Sequence, residues 1–228
     1  MFDFSDANPH MRPMGELIPD GSFCKLEMTF KPGGVDGGTP GDKGLLKKAH
    51  TSDVLMLEAE FTVIDGPLAR RKFWQNFTVQ GGKKDNKGAS IGWNMAKNAF
   101  RGMIDSALGL DPNDKSDATN AKRKLESLSQ LSGIKFVGRV MIEPASSEEY
   151  NDSNRLANAV FAHEAEYAAV MNGQHVEPDP INAKPRKQKE GGAAGGGGGW
   201  NAGAAAASNA SQAAAAETTA AKPGWLGG

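Results

Sequence analysis

Cysteine is nearly absent. Cys24 is the only one in 228 residues, so no internal disulfide can staple the chain, and a reducing compartment is the economical expectation. Tyrosine is scarce, with two residues against ten phenylalanines and four tryptophans. No segment approaches the roughly 18 consecutive apolar residues of a membrane-spanning helix. The opening residues, MFDFSDANPHMRPMGEL, lack the basic start and apolar run of a secretory signal. The expected location is cytoplasmic, with no membrane partner.

The familiar catalytic patterns are missing as well. There is no Gly-x4-Gly-Lys-Ser/Thr phosphate loop, no Gly-x-Ser-x-Gly elbow and no Cys–His pairing. His163-Glu164 begins like a zinc-protease motif, but Tyr167 stands where the second histidine ligand belongs. The four histidines, His10, His50, His163 and His175, are scattered. Asp111, Asp114 and Asp117 lack the glycine and terminal glutamate of an EF-hand loop and read as helix caps. Glu58 and Glu60, two apart on a strand, could hold magnesium in a nuclease; solvent-facing strand charge is the commoner reading. No catalytic residue, cofactor or metal is expected.

What is present is unevenly distributed. Residues 184–228 contain 14 alanines and 11 glycines, a composition that cannot bury enough apolar surface to offset the entropy of ordering. The expected organisation is a flexible N-terminus over 1–13, one domain over 14–180 and a disordered tail over 181–228. Net charge is −1, yet residues 43–101 carry 11 basic and 5 acidic side chains, a net of +6. The flanks are acidic: −4 over 1–42, from 3 basic and 7 acidic, and −6 over 102–180, from 7 basic and 13 acidic. A basic middle between acidic flanks suits a patch for a polyanion, although a solvated surface of uneven charge gives the same count.

Period-two alternation marks strands at 23–31, 54–64 and about 70–79. Asp65-Gly66-Pro67 joins the second and third as a hairpin. The glycine-rich stretch 32–44 needs no regular structure. From Ser90 to Leu108 the period becomes 3.6, with Ser90 as N-cap and Gly109 as the stop. A shorter helix begins near Asp111-Pro112 or Asp117. Gly133 opens a further strand carrying Ile134, Phe136, Val140 and Ile142. A last strand lies within 155–163, and residues 165–172 are ambiguous between helix and extended chain. Three strands, one or two helices, then two strands give a β-rich α+β domain. That order fits a five-stranded OB-like Greek-key barrel with the helix, or two, between strands three and four.

Five segments resemble a known family: GELIPDGSFCKLEM, RRKFWQNFTVQGG, GASIGWNMAKNAFRGMIDSALGL, LSGIKFVGRVMIE and YNDSNRLANAV. In that order they are similar to a family of phage- and prophage-encoded proteins from recombination and replication modules, long filed as a domain of unknown function and resembling single-stranded DNA-binding proteins. The resemblance spans about residues 14–172. It rests on Gly21-Ser22-Phe23, on Phe73-Trp74 with Phe77, on Leu131-Ser132-Gly133 and on Asn154-Arg155. It implies an accessory role in phage-type recombination or replication, with single-stranded DNA as partner. A tail ending in an apolar tip, here Trp225 and Leu226, implies recruitment of a recombinase, nuclease or replication protein. The tip lacks the acidic residues that such tails carry. Self-association is left open.

Single strands are held by cations that track phosphates and by aromatic faces on which bases stack. The third strand offers both. Lys72, Trp74 and Asn76 oppose Phe73 and Phe77, with Arg70 and Arg71 at the hairpin end. Lys83, Lys84 and Lys87 follow in the next loop. Lys135, Arg139 and Arg155 could extend the track on later strands, or serve as ordinary solvent-facing charges or internal ion pairs. The alternative for Trp74 is burial beneath a helix. The expected function is single-stranded DNA binding without catalysis. The alternatives are a protein-interaction or virion structural module with a basic docking patch, and a metal-dependent nuclease.

Overall fold

The computed structural model describes residues 17–147 and 150–181. The chain divides into two units, Met1–Lys187 and Gln188–Gly228. The expected flexible N-terminus, the disordered tail, and Trp225 and Leu226 lie outside the described residues.

The first unit is a mostly antiparallel β-sheet with a few helices. Its strands are β1 (Ser22–Lys31), β2 (Lys47–Lys48), β3 (Leu55–Val63), β4 (Lys72–Gln80), β5 (Ile134–Glu143) and β6 (Ser153–Ala159). The helices are α1 (Ile91–Leu108), α2 (Asp117–Lys122) and α3 (Ala165–Met171). β1 is central and pairs with both β3 and β5; β4 pairs with β3, and β6 with β5. All these pairings are antiparallel. The sheet curls until β4 and β6 come side by side, where the Leu156 amide donates to Gln75 Oε1 at 3.1 Å. No helix among the described residues is long and apolar enough to cross a membrane.

The alternation read from the sequence decides which faces turn inward. Cys24, Leu26 and Met28 of β1, Leu57, Ala59, Phe61 and Val63 of β3, and Phe73 and Phe77 of β4 are buried. Phe61 stacks on Phe73 with centroids 4.8 Å apart and meets Phe77 and Phe136 edge-on. α1 closes one end of this core with Ala96, Phe100, Met103 and Ile104. Ser90 Oγ accepts from the Trp93 amide, and Gly109 adopts the left-handed φ of 62° that terminates the helix. Deep burial pushes the Cys24 thiol up to about 12, so it acts as a small apolar side chain at neutral pH.

Several elements differ from the sequence reading. The stretch after β1 contains a 3-10 turn at Pro40–Asp42, and the two-residue strand β2 follows it. Asp42 organises this loop, accepting from Thr39 Oγ1 and from the Ser129 amide. Of the two starts the sequence offered for the second helix, Asp117 is the one adopted, with Ser116 as N-cap, its Oγ accepting from the Thr119 amide. Asp111 instead accepts from the Asn113 amide two residues on, the local turn that competes with helix formation. The last strand begins two residues before 155, at Ser153, and the ambiguous 165–172 stretch is mainly α3. α3 lays Val170 over Val137 and Val160, making a small second core on the outer face of β5.

Candidate nucleic-acid interface

On the outer face of the sheet, β1, β3 and β4 share a ladder of polar side chains. Trp74 is 50% exposed, and its pairing partner across the ladder is Glu60. The indole N–H donates to Glu60 Oε2 at 3.0 Å. Lys72 Nζ donates to Glu60 Oε1 at 2.6 Å. Lys31 Nζ lies 5.1 Å from the centre of the Trp74 ring, a cation–π contact, and 3.7 Å from Glu60. One row further, Lys47 Nζ donates to Glu58 at 2.6 Å, with Lys31 at 3.9 Å. These lysines hold Glu58 and Glu60 below the usual carboxylate range, Lys47 acting chiefly on the first and Lys72 on the second. Both carboxylates are therefore engaged with ammonium groups. Among the described residues, no group of three or more His, Cys, Asp or Glu side chains is placed to hold a metal ion.

The hairpin end brings Arg70 and Arg71 beside this ladder. Arg70 sits at φ 71°, a left-handed conformation uncommon outside glycine. Its amide donates to Val63 O at 2.8 Å, closing the turn. Arg71 Nη1 donates to Leu17 O at 3.2 Å. Arg70, Arg71, Lys72 and Trp74 line a groove of about 660 Å³ whose far wall is Asp152, Ser153 and Asn154 at the start of β6. Asn154 is buried and gives shape to that wall: its amide accepts from Ile18 N and donates to Ile18 O, both at 2.8 Å. Beyond Gln75 the gap between β4 and β6 widens into a second groove of about 890 Å³, floored by α1.

The other end of β4 carries the loop with Lys83, Lys84 and Lys87, all exposed. Asp85 Oδ1 shapes the loop by accepting from the Lys87 and Ala89 amides, both at 2.9 Å. Among the described residues no carboxylate lies within ion-pair distance of these three lysines. They stand one strand length from Arg70, about 30 Å at roughly 3.3 Å per residue.

The later candidates do not join one track. Lys135 faces outward on β5, 4.0 Å from Glu27. Arg155 is exposed on β6 and ion-pairs with Glu143 at 2.5 Å. Arg139 is half-buried, bonded to the Asp179 carboxylate and carbonyl, and lies 5.4 Å from the Phe23 ring. It fastens the segment after α3 to the sheet. Gly21 completes that junction: its φ is 79°, and a Cβ there would fall 1.9 Å from Asp179 O. Sequence spacing could not reveal this, because Arg139 and Asp179 are 40 residues apart.

No known protein family, curated protein or solved structure matches the chain. The geometry must carry the functional reading by itself. It offers one half-exposed indole, an asparagine on the same face, Arg70 and Arg71 at one end and three lysines at the other. Sequence reasoning missed the part played by Glu60, which is visible only when β3 and β4 are placed in register. It also missed Lys31 and Lys47, which belong to other strands but point at the same face. The outward position of Lys31 in the period-two pattern was the available signal; Lys47 lies outside every alternating segment.

Proposed function

We propose that the first unit binds single-stranded DNA, with Trp74 as the stacking platform and the β4–β6 seam as the path of the strand. The observation that carries this reading is the exposure of Trp74 between Lys72 and Asn76, at the mouth of a groove lined by Arg70 and Arg71. A base stacked on an aromatic side chain contributes ~1–3 kcal/mol. The cationic ends of β4 supply phosphate contacts on either side. Arg70 adds a second argument: a side chain kept where glycine would sit without strain is characteristic of sites where the side chain is used.

The strand order supports the same proposal. β1 between β3 and β5, β4 and β6 at the two outer edges and α1 between β4 and β5 is the order expected of a five-stranded oligonucleotide-binding barrel, and on that reading the second and third long strands form the ligand face. Here those are β3 and β4. An accessory role in phage-type recombination or replication, which the sequence resemblance implies, is part of the same proposal. On this reading the tail, with Trp225 and Leu226, recruits a recombinase, nuclease or replication protein. Deleting 184–228 then leaves DNA affinity nearly intact while abolishing recruitment.

The test is a titration of the full chain with labelled oligo-dT and with a duplex of equal length. Tight, salt-sensitive binding to the single strand alone is expected. Absence of binding at micromolar protein and low salt overturns the proposal. One observation favours a second reading. Charges on the outer face are mixed, with Glu58 and Glu60 set among Lys31, Lys47 and Lys72. A mixed face suits a protein partner of complementary pattern, and the duplex and single-strand arms would both be blank in that case.

A further inference from the structure

We propose that the wider groove between β4, β6 and α1 is a base-reading subsite, in which unstacked nucleobases of the bound strand are recognised by side-chain amides. The inference rests on the single-strand reading and extends it, because stacking on Trp74 alone would tolerate every base.

The groove continues the trough that holds Trp74. Residues 72–74 of β4 and 152–154 of β6 flank the first part, and residues 75–78 and 155–159 flank the second. A strand leaving Trp74 along the seam therefore reaches this groove next. Its lining is unusual for its amides: Gln75, Asn76, Asn98 and Asn158, set beside the apolar Met95 and Phe161. Asn76, Asn98 and Asn158 are exposed, and Met95 is 68% exposed. Two amides are held in orientation by contacts of their own. Gln75 Oε1 is occupied by the Leu156 amide, which leaves its NH₂ as a donor. Asn158 Nδ2 donates to Ala159 O at 3.0 Å, which leaves its Oδ1 as an acceptor.

Donors and acceptors at fixed positions over an apolar floor are what recognition of a flipped or unstacked base requires. The carboxylate in the lining, Glu164, is turned to its own backbone, accepting from the Phe161 amide at 2.6 Å. Phe161 is stacked on His163 with the rings 7° from parallel, which gives the floor a rigid aromatic edge. About 890 Å³ accommodates more than one nucleotide.

The experiment measures affinities of the full chain for dT, dC and dA homopolymers of equal length, at one salt concentration, for the native sequence and for N98A/N158A. Both replaced residues are exposed, and N98A alone serves if the double variant is poorly folded. The native protein should spread the homopolymers by about fivefold or more, the worth of one net hydrogen bond. The variant should bring them within about twofold while leaving the salt dependence unchanged. Native affinities that depend on Trp74 yet show no spread would overturn the subsite and leave the binding function standing, as would a spread that survives N98A/N158A. Absence of binding to any homopolymer would remove both proposals together.

Discussion

Trp74 and Glu60 face each other across the β3–β4 ladder, joined by a 3.0 Å hydrogen bond from the indole nitrogen to the carboxylate. The same carboxylate takes Lys72 on its other oxygen. One acidic residue thus fixes both the aromatic platform and the cation beside it. Lys31 lies over the ring, and half of the side chain remains open to solvent. The arrangement holds the indole in place without sealing it.

Trp74→Ala should weaken oligo-dT binding about 5- to 150-fold, the loss of one stacked base. Stability should change by no more than about 0.5 kcal/mol, as for an exposed position. Trp74→Phe should retain part of the affinity, because it keeps a π-face and loses only the bond to Glu60. Fluorescence titration and thermal melts of the three proteins check this. A lowered melting temperature with unchanged affinity would assign Trp74 to packing.

Lys83, Lys84 and Lys87 carry no ion-pair partner among the described residues, and Arg70 crowns the opposite end of β4. Four phosphate contacts at roughly 0.7 counterions each give a slope of about −3 in log affinity against log salt. Replacing the three lysines by alanine should reduce that slope to about −1. A slope unchanged by the triple replacement would place the phosphates elsewhere.

Acid should strengthen binding. Lysine contacts lower the values of Glu58 and Glu60, so both stay ionised throughout the range above the usual carboxylate value of about 4.3. Whatever stability their pairs contribute is complete above that value and is lost as pH falls through the lowered folded values. Once pH falls through those lowered values, protonation removes two negative charges from the face and frees Lys47 and Lys72 for phosphate. Affinity for oligo-dT should therefore be flat from pH 7 to 5 and rise only as pH falls through those lowered values. E58Q/E60Q should show the raised affinity already at pH 7. Circular dichroism at each pH establishes that the fold is kept, and a flat profile throughout would show that these carboxylates do not compete with phosphate.

Arg123 is a stability residue and is not among the residues proposed to contact DNA. It forms two hydrogen bonds with Asp105, at 2.6 and 3.1 Å, and caps the carbonyls of Asp111 and Asp114. Asp105 is 1% exposed. Arg123→Ala strands that carboxylate, with the more exposed Arg101 at 3.5 Å as its remaining cation. Loss of about 3 kcal/mol is expected from denaturant unfolding, with DNA affinity unchanged after correction for folded fraction. A loss below about 1 kcal/mol would show that Arg101 takes over.

The sequence by itself determined the long strands, the hairpin, helix α1 with both its caps and the placement of Trp74 opposite Phe73 and Phe77. These follow from short-range causes: side chains alternate along a strand, recur every 3.6 residues along a helix, and Ser90 and Gly109 satisfy the backbone at its ends. Only the tertiary structure decided that this face of Trp74 stays open and which cations are available. Lys72 was legible as outward but not as bound to Glu60, and Arg139 was legible as outward but not as tied to Asp179. Pairing between distant segments depends on register and on the curl of the sheet, and neither is written in local periodicity. The same holds for the seam between β4 and β6, a product of how far the sheet twists before its edges meet.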